Sequence, residues 1–212
     1  MRHRMEGYYY KGRCDLSLKI IGSILEKATE SLKQKRIEGS YNFIPYSSAK
    51  LMSIFYSLSE EMTSIHTKYD LHLDNLIFLD AGCGIGNVLI PAMATGLFSK
   101  CVGLEISSEV IKAAKKNYLP SFGNTFKKNI HIKQTDILKY KKYGNYDVIY
   151  YFCPFHDYKL EITFEERIEE QAKVGAILIP ILKASRMIEE DRRFKRHILH
   201  SSSQSVYIKV CQ

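Results

Sequence analysis

No apolar run in this chain is long enough to cross a bilayer. None of its 212 residues falls in a segment approaching the ~18 consecutive apolar residues that a span requires. The stretch Leu16-Ser17-Leu18-Lys19-Ile20-Ile21-Gly22-Ser23-Ile24-Leu25 sits behind a basic start and imitates a secretory leader. Lys19 interrupts it, however, and no small-residue cleavage site follows, so it reads as an amphipathic helix packed on the domain. Cysteine is too scarce and scattered to build a disulfide frame. The five (Cys14, Cys83, Cys101, Cys153, Cys211) are odd in number and mostly set in apolar strands, which argues for reduced thiols and a cytoplasmic setting. No histidine stands at ligand spacing from a cysteine or an acid, so no metal is implied. Internal repeats and low-complexity tracts are absent. So is the interleaving of aromatic and basic residues that marks binders of single-stranded RNA.

What is present is an ordinary globular composition, 45% hydrophobic and 25% charged, at a length that suits one domain with a sizeable core. The net charge of +8 and pI near 9.1 allow an acidic partner without requiring one. The basic residues stand in short runs, among them Lys112, Lys115, Lys116, Lys127-Lys128 and Arg192-Arg193-Phe194-Lys195-Arg196, and runs this short are usually solvated faces. Residues 1–40 read as an N-terminal helical extension and residues 41–212 as the main domain. Ser47 or Ser48 is expected to cap a helix over 49–67 whose apolar stripe is Leu51, Met52, Ile54, Phe55 and Leu58. From Leu76 strands and helices alternate: 76–80, 87–98, 101–105, 107–118, 130–134, 146–151, a helix near 160–172, and 174–180. Alternation of this kind predicts a parallel sheet wrapped by helices. Arg196–His200 and Ser205–Cys211 then read as a closing hairpin around Ser201-Ser202-Ser203.

The most informative run is Asp80-Ala81-Gly82-Cys83-Gly84-Ile85-Gly86-Asn87, directly after the apolar Leu76-Ile77-Phe78-Leu79. A buried strand that ends in an acid and turns through three alternating glycines is a ligand-binding strand-to-helix junction. Glycine lets backbone amides come close to a ligand, and the following helix presents unsatisfied N–H groups there. A dinucleotide loop would place its third glycine at position 87, where this chain has Asn87. Asp80 would also crowd a pyrophosphate. A carboxylate suits a ligand with an ammonium and a sulfonium and no phosphate, the description of S-adenosyl-L-methionine (SAM).

The run resembles motif I of the seven-strand, class I, SAM-dependent methyltransferases, seen as D/E-x-G-x-G-x-G. Later signals fall in that family's order. Val102-Gly103-Leu104-Glu105 reads as a second strand ending in an acid, 25 residues after Asp80, where a carboxylate accepts both ribose hydroxyls. Thr135-Asp136-Ile137, after the alternating Ile130–Gln134, resembles the signal that holds the adenine. Tyr146–Tyr151 reads as the fourth strand, leading into Phe152-Cys153-Pro154-Phe155. The resemblance covers roughly 41–212. It implies an α/β fold, a doubly wound and mostly parallel seven-stranded Rossmann-like sheet with a C-terminal antiparallel hairpin. It also implies cofactor contacts from Asp80, Gly82, Gly84, Gly86, Asn87, Glu105, Ile106, Asp136, Ile137 and Tyr151. For the acids the alternative is a helix cap or a solvated turn, and it competes most strongly at Asp136; in Ile106-Ser107-Ser108-Glu109 a serine is expected to cap the next helix, which leaves Glu105 for the ligand. Cys83 reads as a small residue that fits the loop.

The segment after the fourth strand faces the transferable methyl in this family. Nucleic-acid amino methyltransferases carry N/D-P-P-Y/F there. Here Phe152 stands in the acceptor's place and Cys153 replaces the first proline. A cytosine-type nucleophile would follow a proline, whereas Cys153 precedes Pro154 and reads as a buried structural thiol. What is left is a neutral aromatic site of Tyr151, Phe152 and Phe155 with Tyr150, joined by Tyr41, Phe43 and Tyr46. Aromatic walls desolvate an incoming amine and hold its methylated cation. The Phe43-Ile44-Pro45-Tyr46-Ser47 loop ahead of a helix and motif I resembles the layout of small seven-strand protein lysine methyltransferases. A macromolecular acceptor is implied, a protein ahead of a nucleic acid, and the same tyrosines could equally serve to pack helix 49–67. A methyltransferase acting on RNA and a non-catalytic SAM-fold subunit are the other two readings.

Overall fold

The computed structural model describes residues 48–69, 71, 74–118, 128–152, 154–155, 157–181 and 186–212. The expected extension over 1–40, the Phe43–Ser47 loop with Tyr41 and Tyr46, and Cys153 lie outside the described residues.

Helix α1 (Ser48–Tyr69) is built on the expected stripe. Leu51, Ile54, Phe55, Leu58, Met62 and Ile65 are buried at helical spacing, whereas Met52 is only half-buried. Then follow β1 (Ile77–Ala81), α2 (Leu89–Ala94), β2 (Lys100–Glu105), α3 (Ser108–Ala113) running into a π-helical turn (Ala114–Tyr118), and β3 (Ile130–Gln134). A 3-10 turn (Tyr143–Asn145) precedes β4 (Val148–Phe152), α4 (Tyr158–Gln171), β5 (Ile177–Ile181), α5 (Arg186–Glu190), β6 (Phe194–Ile198) and β7 (Ser205–Lys209).

The seven strands form one sheet in the order β3-β2-β1-β4-β5-β7-β6. Strands β1 to β5 pair in parallel, and β7 enters antiparallel between β5 and β6. The reversal comes from the hairpin, whose turn includes Ser203 at φ 56°. Pro180 limits the β5–β7 ladder, because proline has no N–H to give. That ladder registers only Ile177↔Ile208 and Leu178↔Tyr207, and the Gln204 side chain donates instead to the Pro180 carbonyl at 2.9 Å.

Strand alternation divides the core into two layers. In β4, Val148 and Tyr150 face α1, α2 and α3, while Ile149 and Tyr151 face α4 and α5. Phe55 meets Phe78 edge-on at 5.4 Å on the first face, and Tyr151 meets Phe164 edge-on at 5.4 Å on the second. Lys209, 1% exposed, donates from Nζ to the carbonyls of Glu169 and Ala172 at 2.8 Å and of Glu170 at 3.3 Å. A buried ammonium thereby closes the C-terminus of α4, where the dipole favours a cation.

The elements differ from the expected ones chiefly at their ends. The helix expected over 87–98 is only six residues long, Leu89–Ala94. Gly96 takes φ 70°, and the Thr95 hydroxyl both donates to Ala92 O (2.7 Å) and accepts from Leu97 N (3.1 Å), a local stop that ends the helix. Strand β5 starts three residues later than expected, since Gly175 at φ 87° still belongs to a turn. Helix α5 was not expected.

Candidate active site

The candidate site lies at the C-terminal ends of β1, β2 and β4. The strand order reverses between β1 and β4, the place where doubly wound sheets open a crevice. Gly82, Gly84 and Gly86 all take positive φ (90°, 54° and 90°), so the loop conformation is one that side-chain-bearing residues rarely adopt. The amides of Gly82 and Cys83 both donate to Leu104 O, at 3.0 and 2.9 Å, which fastens the loop to β2. A methyl at Gly86 would sit 3.3 Å from Leu89 Cδ1 and 3.4 Å from Ile132 Cδ1, so the third glycine is also needed for packing.

Asp80, the penultimate residue of β1, lies in the α1–α3 layer, 2% exposed, and its Oδ2 has no hydrogen-bond partner. Burial, and then the charge of Glu105, push its carboxyl well above the usual range. Asn87 Oδ1 is likewise buried without a partner. A buried acceptor left open at a ligand-binding turn costs stability unless something donates to it.

Glu105 does not hang free at the end of β2. Gly84 N–H donates to its Oε2 at 3.0 Å and Ser107 N–H to its Oε1 at 2.8 Å, so the carboxylate ties the glycine loop to the start of α3. Each oxygen keeps a second lone pair for another donor. Ser107 caps α3 through Val110 N (3.3 Å), as its position suggested. Ile106 is 59% exposed beside Glu105, whereas Ile137 is buried in the α4 layer. Asp136 is engaged locally: Leu138 N–H donates to its Oδ1 at 2.9 Å and Lys139 stands 3.8 Å from Oδ2.

On the acceptor side the expected trio divides. Phe152 is half-buried in the first layer and Phe155 half-buried in the second, 5.8 Å from Phe164. Pro154 lies against the glycine loop, 3.6 Å from where a Gly82 Cβ would be. Tyr151 must be corrected as both a channel wall and a cofactor contact. Strand alternation turns it under α4, 1% exposed, with Glu165 and Glu169 as its charged neighbours. Burial, and then those acids, keep its phenol protonated.

Two contributors were not singled out from sequence. Gly103, level with Asp80 on β2, leaves room for Cys83: a Cβ there would collide with Cys83 Sγ and stand 2.8 Å from Cys83 Cβ. A glycine inside a strand was the available signal. Glu161 of α4 accepts from Phe155 N at 3.1 Å, holding the segment after β4. The carboxylate one turn beyond the Asp157 cap was the corresponding hint. Cys83 itself is 4% exposed, and burial with the nearby acids raises its thiol well above the usual range, so it is packing and not a nucleophile.

Among the described residues no helix is long and apolar enough to cross a membrane. A family model described as "Methyltransferase domain" matches residues 72–206. No curated protein matches the chain. Among solved structures, the methyltransferase domain of bacterial CtHen1-C is similar at 15% identity and TM-score 0.50, covering 76% of this chain and 100% of that one. The glycopeptide N-methyltransferase MtfA complexed with sinefungin is similar at 15% identity and TM-score 0.46, over 71% of this chain. The present chain spans 65% of that protein's length. PKMT2 from Rickettsia typhi in complex with AdoHcy is similar at 22% identity and TM-score 0.46, covering 59% of this chain and 25% of that one. At these identities the likeness is one of fold.

Proposed function

The chain belongs to the methyltransferase-domain family, and on that premise we propose that it transfers a methyl group from SAM to a protein amine, the side chain of lysine. The observation that carries the donor reading is the buried Asp80 carboxyl, its Oδ2 without a partner, at the head of three left-handed glycines. SAM supplies an electrophilic methyl on a sulfonium. Asp80 offers negative charge to the donor's cationic portion, and its raised affinity for a proton in the free protein is relieved by a cation. Glu105 uses its remaining lone pairs for the ribose diol, and the exposed Ile106 covers the adenine with Asp136 at its edge. Asn87 supplies an open carbonyl beside Gly86.

For methyl transfer the chain must position the acceptor and strip it of water and its proton. Pro154 stands next to Gly82, with the neutral rings of Phe152 and Phe155 on either side of the sheet and Glu161 fixing the backbone of Phe155. Such rings disfavour an ammonium over an amine, which supports lysine. The ten lysines concentrated over residues 100–142 favour a second reading, a nucleic-acid acceptor. Incubating the protein and methyl-labelled SAM with cell lysate decides between them. Label that survives nuclease, yields to protease and appears as methyl-lysine after hydrolysis is expected. Nuclease-sensitive label would overturn the amine reading, and calorimetry that detects no SAM binding would overturn the donor.

A further inference from the structure

The charge of this chain is concentrated in one part of it. Of the net +8, residues 100–142 carry net seven, as ten lysines against the three acids Glu105, Glu109 and Asp136. Residues 157–191 carry the opposite, nine acids against five basic residues. The basic part builds β2, α3 and β3, the last being the outermost strand, while the acidic part builds α4, β5 and α5, with α4 packed on the loop after β3 where Phe164 meets Tyr143 edge-on at 6.3 Å.

Nine of the ten lysines are among the described residues, and all nine are exposed. Lys100, His131 and Lys133 share one face of β2–β3, since Val102↔His131 and Leu104↔Lys133 are in register and the alternate residues Ile130 and Ile132 point the other way. The following loop crosses that same face, burying Ile137, Tyr143 and Tyr146 while leaving Lys139, Lys141 and Lys142 in solvent. Of the nine, only Lys139 is in an ion pair among the described residues, the loose contact with Asp136. The lysines are close enough to act on one another's neighbours: burial, then the charges of Lys100 and Lys133, hold the His131 imidazole below its usual range. A concentration of one sign with only three acids set against it costs self-repulsion, which a polyanion relieves.

We propose that the face formed by β2, β3 and the loop after β3 is a docking surface for the phosphate backbone of a nucleic acid. A folded protein presents acids mixed with bases, whereas a duplex presents a single sign, about one charge per 1.7 Å of axis. Compact, strongly hydrated ammonium groups suit backbone contacts, which position without reading sequence. Among the described residues of this face no ring is open for base stacking, because Tyr143 and Tyr146 are buried and Tyr140 is tied to Tyr146 at 2.7 Å. The surface adjoins Glu105 and Asp136 at the strand ends and serves a protein acceptor on a nucleic acid as well as a nucleic-acid acceptor.

Fluorescence anisotropy with labelled RNA and DNA duplexes of about 20 base pairs tests this without SAM, independently of any methyl acceptor. Wild type is expected to bind, with log Kd rising against log salt with a slope of about 4 or more, near 0.9 for each phosphate contacted. Joint replacement of Lys133, Lys139, Lys141 and Lys142 by Gln should weaken binding at least about tenfold and lower the slope by roughly 3–4. Removing as many charges elsewhere (Lys68, Lys159, Arg192 and Lys195 to Gln) should cost less than about threefold. The His131 pKa, followed by NMR, should rise when duplex binds. Preference for RNA or for DNA identifies which backbone is used, and either supports the proposal. Equal losses in the two quadruple variants would overturn it. So would no binding of either duplex, or binding of poly-glutamate as tight as that of duplex, which would assign the face to an acidic protein.

Discussion

Adding one methyl group at Gly103 should disturb the cofactor loop from outside it. The Cβ of Gly103→Ala would overlap Cys83 Sγ, lie 2.8 Å from Cys83 Cβ and 3.0 Å from Leu89 Cδ1. The Leu89 contact is with the end of a flexible side chain and yields cheaply. The Cys83 contacts do not, because Cys83 is buried and its amide is held on Leu104 O at 2.9 Å. Overpacking of this kind costs about 1–3 kcal/mol, and here the strain is released by pushing the Asp80–Gly86 loop away from β2. Gly103→Ala should therefore lose roughly 1–3 kcal/mol of stability and about tenfold or more in SAM affinity. Cys83→Gly removes the atoms that clash and by itself costs on the order of 1–2 kcal/mol in lost packing and backbone entropy. Combining the two should recover much of the loss, a coupling of roughly 1–3 kcal/mol in a double-mutant cycle. Urea denaturation gives the stabilities and calorimetry the affinities. Additive losses, or Gly103→Ala binding SAM as wild type does, would refute the seating of Cys83 against Gly103 as what sets the loop.

Asp80→Asn should leave the shape intact while removing a buried carboxylate, so calorimetry should show SAM binding weaker by about 1.5–3 kcal/mol. The free protein should melt no lower at pH 8. Asp80's folded pKa is raised, so its contribution to stability falls as pH climbs above the ordinary carboxylate range, and Asn is exempt from that fall. Glu105→Ala should cost roughly 1.5–3 kcal/mol of SAM affinity and, because it also frees the amides of Gly84 and Ser107, about 1–2 kcal/mol of stability. Collapse of the fold with affinity retained would make the residue structural only. Glu169→Gln tests the acids buried under α4. Burial, then the charges of Glu165 and Asp191, raise the Glu169 carboxyl to about 7. The folded state thus binds the extra proton, and stability is lost as pH rises from about 4.5 to 7. Gln should abolish that decline, gaining on the order of 1–2 kcal/mol over wild type at pH 8 and little at pH 4.5. A parallel pH profile for the two proteins would place the titration elsewhere.

The sequence by itself determined the sheet and the cofactor end of the site. Apolar runs at strand period alternate with helix-period stripes, and burial enforces both, so the five parallel strands and the closing hairpin are legible in one dimension. The glycine loop is legible because three left-handed positions admit few other residues. Glu105 and Ser107 were legible as strand-end acid and cap, being local signals. Only the tertiary structure decided what crosses between elements. The hydrogen bond from Gly84 to Glu105, the place Gly103 leaves for Cys83 and the grip of Glu161 on Phe155 join residues whose proximity depends on register and packing. The same cause moved Tyr151 from the site to the core: alternation along β4 assigns it a face, but which face α4 covers is settled by the winding of the chain. Charge behaved likewise. The +8 reads from composition as a diffuse property, and strand order places six net positive charges of the described residues toward one edge, because side chains separated by tens of residues become neighbours only when β2, β3 and their loop are laid side by side.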